Sequence, residues 1–143
     1  MSRYLLDTNI VSNLIKPTPS PQLLVWMEDQ FDESLYISSL TVAEIRFGIL
    51  RLPDGRKRRD LETWFLGTSG PQAMFAARIL PFDEKAALIW AIMMADGRNQ
   101  GRPRSSVDMF IAAIAAANDC IVVTDNERDF LDLKILNPMK PSP

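Results

Sequence analysis

Apolar positions along the chain follow two rhythms. Short unbroken runs at Arg3-Tyr4-Leu5-Leu6, Leu35-Tyr36-Ile37-Ser38 and Cys120-Ile121-Val122-Val123 read as buried strands. Between them apolar residues recur every three or four positions, the spacing of one helix face. Thr8 to Lys16 is expected to be helical and is stopped by Pro17, Pro19 and Pro21. Leu23, Leu24, Trp26, Met27 and Phe31 predict a second helix from about Ser20 to Phe31. A third runs from Thr41 to Leu52, ended by Pro53-Asp54-Gly55, and a fourth from Arg56 to Leu66. Arg78-Ile79-Leu80-Pro81-Phe82 suits an edge strand, where proline is tolerated. Asp83 can cap a helix from Glu84 to about Arg98, and Gly97, Gly101 and Pro103 mark the loop that follows. Ser106 to Asn118 is a further helix, and Lys134-Ile135-Leu136 a last strand. Strands alternating with helices predict an α/β fold with a mainly parallel sheet.

With 143 residues, 47% of them hydrophobic, the chain is expected to form one domain over residues 1–143 around a core that needs no disulfides. The single Cys120 begins a strand and reads as inert packing, a usage that fits a reducing compartment. The opening apolar run is too short for a signal peptide, and Ala86 to Ala95 is too short to span a bilayer. A cytoplasmic protein is expected. Trp26, Met27, Trp90, Met93 and Met94 lie at helical spacing and suit core or dimer contacts better than a cofactor site.

Net charge is −2, but cations cluster at Arg56-Lys57-Arg58-Arg59 and at Arg98, Arg102 and Arg104. These seven residues are candidate contacts for a phosphodiester substrate, although solvated helix ends carry such clusters too. The more decisive feature is the absence of histidine. It removes Ser-His-Asp and Cys-His nucleophilic catalysis, paired-histidine cleavage of RNA and HExxH zinc chemistry. A hydrolase built from this chain would rest on carboxylates, holding a hard cation.

Acids stand where such a site would form. Asp7 directly follows the first strand, Glu44 is expected in the first turn of the helix after the second, and Asp125 follows the strand ending at Val123-Thr124. Asp108 opens the preceding helix. Strand ends and the helix starts that follow them share one edge of a parallel sheet, where ligand sites form. Each acid alone has a simpler explanation: Thr41-Val42-Ala43-Glu44 reads as a capping box, Ser105-Ser106-Val107-Asp108 as its Asp analogue, and Asp7 and Asp125 as N-caps. Capping, however, does not require these helices to meet. Carboxylates that do meet repel one another and take up protons or a cation. An oxygen-only set suits Mg²⁺ or Mn²⁺.

Taken together these motifs resemble the PIN-domain nucleases, in particular the VapC and FitB toxins. The resemblance rests on Leu6-Asp7-Thr8-Asn9-Ile10-Val11, Ser39 to Gly48, Ile79-Leu80-Pro81-Phe82-Asp83, Val107 to Ala113 and Val123 to Phe130, five motifs in order over nearly the whole chain. It implies a three-layer α/β/α sandwich around a mainly parallel sheet. It also implies a Mg²⁺- or Mn²⁺-dependent endoribonuclease, a homodimer and inhibition by a cognate antitoxin. Asp7, Glu44 and Asp108 are the implied catalytic, metal-holding acids. Thr8 and Asn9 would orient Asp7 and the nearby backbone, and Thr124 would support the site by hydrogen bonding. The pattern departs at Asn126, where many relatives carry Asp. Asp125 and Asp129 both stand ready to compensate, and the sequence does not choose. Two other functions fit less well. One is a PIN-like module that binds RNA or antitoxin without turnover. The other is a phosphoacceptor using Asp7, which lacks a second Asp two residues on.

Overall fold

A computed structural model describes residues 2–99, 101, 106–130 and 133–140. Five strands, β1 (Arg3–Leu6), β2 (Leu35–Ser38), β3 (Ile79–Leu80), β4 (Cys120–Val123) and β5 (Ile135–Leu136), form one sheet in the order β3-β2-β1-β4-β5. Every pairing is parallel, with Leu5 opposite Tyr36 and Leu6 opposite Val123. The helices are α1 (Thr8–Leu14), α2 (Pro21–Glu28), α3 (Ser39–Leu50), α4 (Arg56–Leu66), α5 (Pro71–Met74), α6 (Glu84–Asn99) and α7 (Ser106–Ala117). Short 3-10 turns at Asp32–Ser34 and Glu127–Phe130 were not legible in the apolar pattern.

Alternation along the strands builds two cores. Leu6, Ile37 and Val123 face one side, where they meet Ile10, Leu23, Ile45, Ile49 and Phe65. Leu5 and Val122 face the other, against Ala86, Met109, Ile111, Ile114 and Ala115. Helices α1 to α5 thus cover one face, and α6 with α7 the other, which is the expected α/β/α sandwich. Trp26 and Met27 pack on the first core, Trp90, Met93 and Met94 on the second. All five are partly buried against the two cores. Among the described residues, no helix is long and apolar enough to cross a membrane.

Several element ends differ from the expected ones. Helix α1 stops at Leu14 because Ile15 leaves helical geometry ahead of Pro17. Helix α2 covers only Pro21–Glu28, capped by the Ser20 hydroxyl with Pro21 in its first turn. Helix α3 starts at Ser39 rather than Thr41, since the Ser38 hydroxyl accepts the Thr41 N–H at 3.0 Å. The capping box expected at Thr41 is therefore not the helix start, and Glu44 falls in the second turn. The cap foreseen at Asp83 forms, with its carboxylate accepting the Ala86 N–H at 3.0 Å. Where α5 hands over to β3, Arg78 donates to the carbonyls of Asp32, Leu35 and Met74, tying three segments together.

Candidate active site

Strand β1 is the centre of the sheet, and its connection to β2 lies on one face while α6 and α7 lead into β4 on the other. The chain's winding therefore reverses between β1 and β4, and in open parallel sheets ligand crevices form beyond the C-terminal ends at such a reversal. Asp7 lies there, its N–H bonded to the Val123 carbonyl at 2.9 Å. Its side chain is 5% exposed. One carboxylate oxygen accepts the Thr8 N–H at 2.8 Å, and the other accepts the hydroxyl of fully buried Thr124 at 2.9 Å. Thr124 accepts in turn the Asn126 N–H at 3.0 Å. Asp7 is thus both the cap of α1 and a fixed, partly desolvated carboxylate. Burial raises its pKa above the usual carboxylate range, against the pull of the Thr124 and Thr8 hydrogen bonds, and the charges of Glu44 and Asp125 raise it further.

Glu44 is solvent-exposed. The Thr8 hydroxyl donates to it at 2.7 Å, bridging α1 and α3 across the crevice. Thr8 thereby touches both acids, Asp7 through its N–H and Glu44 through its hydroxyl. Asn9 does not orient Asp7 as expected: its amide donates to Asp125, while its buried carbonyl oxygen has no hydrogen-bond partner.

Asp108 reaches the same edge. Its pKa is raised to about 6, mainly by burial, then by the charges of Asp7 and Asp129, a hydrogen bond with Asp129, and the charge of Glu44. The convergence that the strand pattern could only assume for Asp108 is therefore present. Asp129 joins Asp108, and Asn126 donates its amide to Asp129. Asp125 faces Asn9 instead. Of the two acids flanking Asn126, it is Asp129 that stands beside Asp108. Sequence reasoning missed Ser38 and Thr41, whose fully buried hydroxyls back Thr8; polar residues inside an apolar strand and helix were the available signal.

The basic clusters are not drawn into this crevice as one group. Arg58 pairs with Glu62 at 3.2 Å and donates to the Leu52 carbonyl, so it braces α4. Arg56 and Lys57 are exposed and line a cleft of about 700 Å³ with Lys16. Arg59 and Arg98 are exposed on α4 and α6. Arg102 and Arg104 lie outside the described residues.

Comparison with known proteins agrees with this architecture. The PIN-domain family profile matches residues 4–136. The chain belongs to the PIN-domain family. This PIN domain is 37% identical to the VapC ribonuclease Y4jK of Sinorhizobium fredii, covering 96% of this chain and 98% of that protein. It is 35% identical to toxin FitB of Neisseria gonorrhoeae, over 94% and 96% of the two chains. It superposes with a TM-score of 0.88 on a structure of FitAB bound to an IR36 DNA fragment, at 32% identity and 98% coverage of both chains.

The chemistry of the PIN domain's crevice fits a hard divalent cation. Its donors are oxygens only, two of its carboxyls have raised pKa values, and the side-chain oxygen of Asn9, next in sequence but one to Asp7, is buried without a hydrogen-bond partner. Among the described residues no three acids are set closely enough to hold one ion together.

Proposed function

We propose that this PIN domain is the toxin of a toxin–antitoxin pair and an endoribonuclease that hydrolyses RNA phosphodiesters in the cytoplasm. The observation that carries the reading is the approach of Asp7, Glu44 and Asp108, from three separate segments, at one sheet edge, where Glu44 raises the proton affinity of Asp7 and both raise that of Asp108. Relatives named ribonuclease and toxin support it.

In this reading Asp7, Glu44 and Asp108 would hold Mg²⁺ or Mn²⁺, with Asp129 as the neighbouring fourth acid. Such an ion supplies neutralisation of phosphate charge and acidification of a water. Asp7, fixed on both oxygens, sets the position of the site. Glu44, exposed and held from behind by Thr8, faces the substrate and accepts the proton of the attacking water. Thr124 keeps the Asp7 carboxylate aligned. Asn126 keeps Asp129 facing Asp108. Arg56, Lys57, Arg59 and Arg98 contribute long-range attraction for RNA. A homodimer is supported by Leu88 and Ile92, one turn apart on α6 and each 62% exposed. An antitoxin is the regulatory partner.

Purified, antitoxin-free protein incubated with total cellular RNA is expected to yield discrete fragments with 5′-phosphate and 3′-hydroxyl ends. Cleavage should require Mg²⁺ or Mn²⁺, stop with EDTA and vanish in Asp7→Asn. Fragments ending in 2′,3′-cyclic phosphate would refute attack by water. Folded protein that binds RNA and metal without cutting would instead be a binding module.

A further inference from the structure

Behind Glu44 runs a line of three hydroxyls, those of Thr8, Thr41 and Ser38. Thr8 Oγ1 donates to Glu44 Oε1 at 2.7 Å and lies 3.0 Å from Thr41 Oγ1. Ser38 Oγ donates to Thr41 Oγ1 at 3.3 Å and accepts the Thr41 N–H at 3.0 Å. A hydroxyl has one proton to give. Thr8 gives its proton to Glu44, so Thr41 must give its own to Thr8, and Ser38 gives to Thr41. Every link then points the same way, from Ser38 through Thr41 and Thr8 to the carboxylate. Bonds arranged head to tail polarise one another, more so where water is excluded. Ser38 and Thr41 are fully buried, whereas Glu44 is exposed.

We propose that Thr41 and Ser38 are positioning residues for Glu44. Together with Thr8 they form a one-way hydroxyl chain, anchored in the core, that fixes an exposed acid of the active site. Resting on the proposed nuclease reading, this chain explains how a glutamate in the second turn of α3 keeps one place without a basic partner among the described residues. Ser38 anchors it because the same oxygen caps α3, which ties the acid's position to the start of its own helix.

The test combines cleavage of total cellular RNA with urea unfolding of EDTA-treated protein, for Thr41→Val, Thr41→Ser, Glu44→Ala and the Thr41→Val/Glu44→Ala double variant. Thr41→Val is expected to slow initial cleavage about tenfold, since it loosens one charge-directed hydrogen-bond line. Thr41→Ser should return the rate to within about twofold of the parent. The unfolding losses of Thr41→Val and Glu44→Ala should be non-additive, as expected of residues in one network. Additive losses, or a Thr41→Val protein that cuts at the parent rate while Glu44→Ala does not cut, would overturn the inference and leave the nuclease reading standing. A Glu44→Ala protein that cuts at the parent rate would overturn the assigned role of Glu44 and this inference together. Should Thr41→Val fail to fold, Thr8→Val cuts the same chain at a half-exposed position and is read by the same criteria.

Discussion

Thr124 shows how one side chain sets the chemistry of another. Its hydroxyl is the only side-chain donor to Asp7 among the described residues, and both groups are buried. Hydrogen bonds to a charged group are worth about 1.5–3 kcal/mol, which corresponds to roughly ten- to hundredfold in rate. Thr124→Val keeps the volume and removes the donor, so RNA cleavage is expected to fall within that range. Thr124→Ser should restore it. An unchanged initial rate in the valine variant would show that Asp7 does not depend on this contact. The motif around Thr124 made the residue conspicuous in the sequence. Which oxygen it serves was settled by the pairing of β1 with β4, which puts Leu6 opposite Val123.

At the scale of elements, most of the fold was legible because strands and helices bury faces of different period. Strands β1, β2 and β4 and helices α3, α4, α6 and α7 all announce themselves in this way. Element ends were less legible, since a cap is a contest between neighbouring polar residues. Ser38 and Thr41 could each have started α3, and the choice decided in which turn Glu44 sits. Helix α5 carried no periodic signal because four residues are scarcely a turn. Its approach to α4 depends instead on Gly70. A Cβ there would come within 2.2 Å of the Phe65 carbonyl oxygen and 2.6 Å of that of Trp64, both rigid backbone atoms. Gly70→Ala is therefore expected to cost about 1–3 kcal/mol, read as a lower urea midpoint with unchanged slope. A midpoint equal to the parent's would mean the α4–α5 turn yields freely.

For the whole molecule, gathering acids makes stability depend on pH and on cations. Asp7 and Asp108 have folded-state pKa values raised above the unfolded 3.8, that of Asp108 to about 6. Between these values the folded state binds more protons than the unfolded one, so this contribution is full below about pH 4 and is lost as pH rises through about 6. EDTA-treated protein should show that falling contribution in its unfolding midpoint, and Asp108→Asn should flatten the pH dependence. Above pH 7 the proposed centre would take up a cation in place of the lost protons. Mg²⁺ at a hundred times its dissociation constant should add about 2.7 kcal/mol, and no comparable gain should appear in Asp7→Asn. A parent protein equally stable with and without Mg²⁺ at that pH would contradict the proposed centre.

The sequence by itself determined an α/β fold with a mainly parallel sheet, since two periodicities admit few packings, its family resemblance supplied the three layers, and a chain without histidine but with acids after its strands pointed to carboxylate chemistry. It also marked Asp7, Glu44 and Asp108. Only the tertiary structure decided that α7 starts at the edge where β1 ends, that Asp129 rather than Asp125 stands beside Asp108, and that Asn9 serves Asp125. It also decided that Arg58 braces α4, and that two buried hydroxyls stand behind Glu44. The physical reason is common to all of these. Periodicity and motif are properties of neighbours along the chain, whereas charge coupling and hydrogen-bond direction depend on distances of a few ångströms between segments that the chain alone does not place.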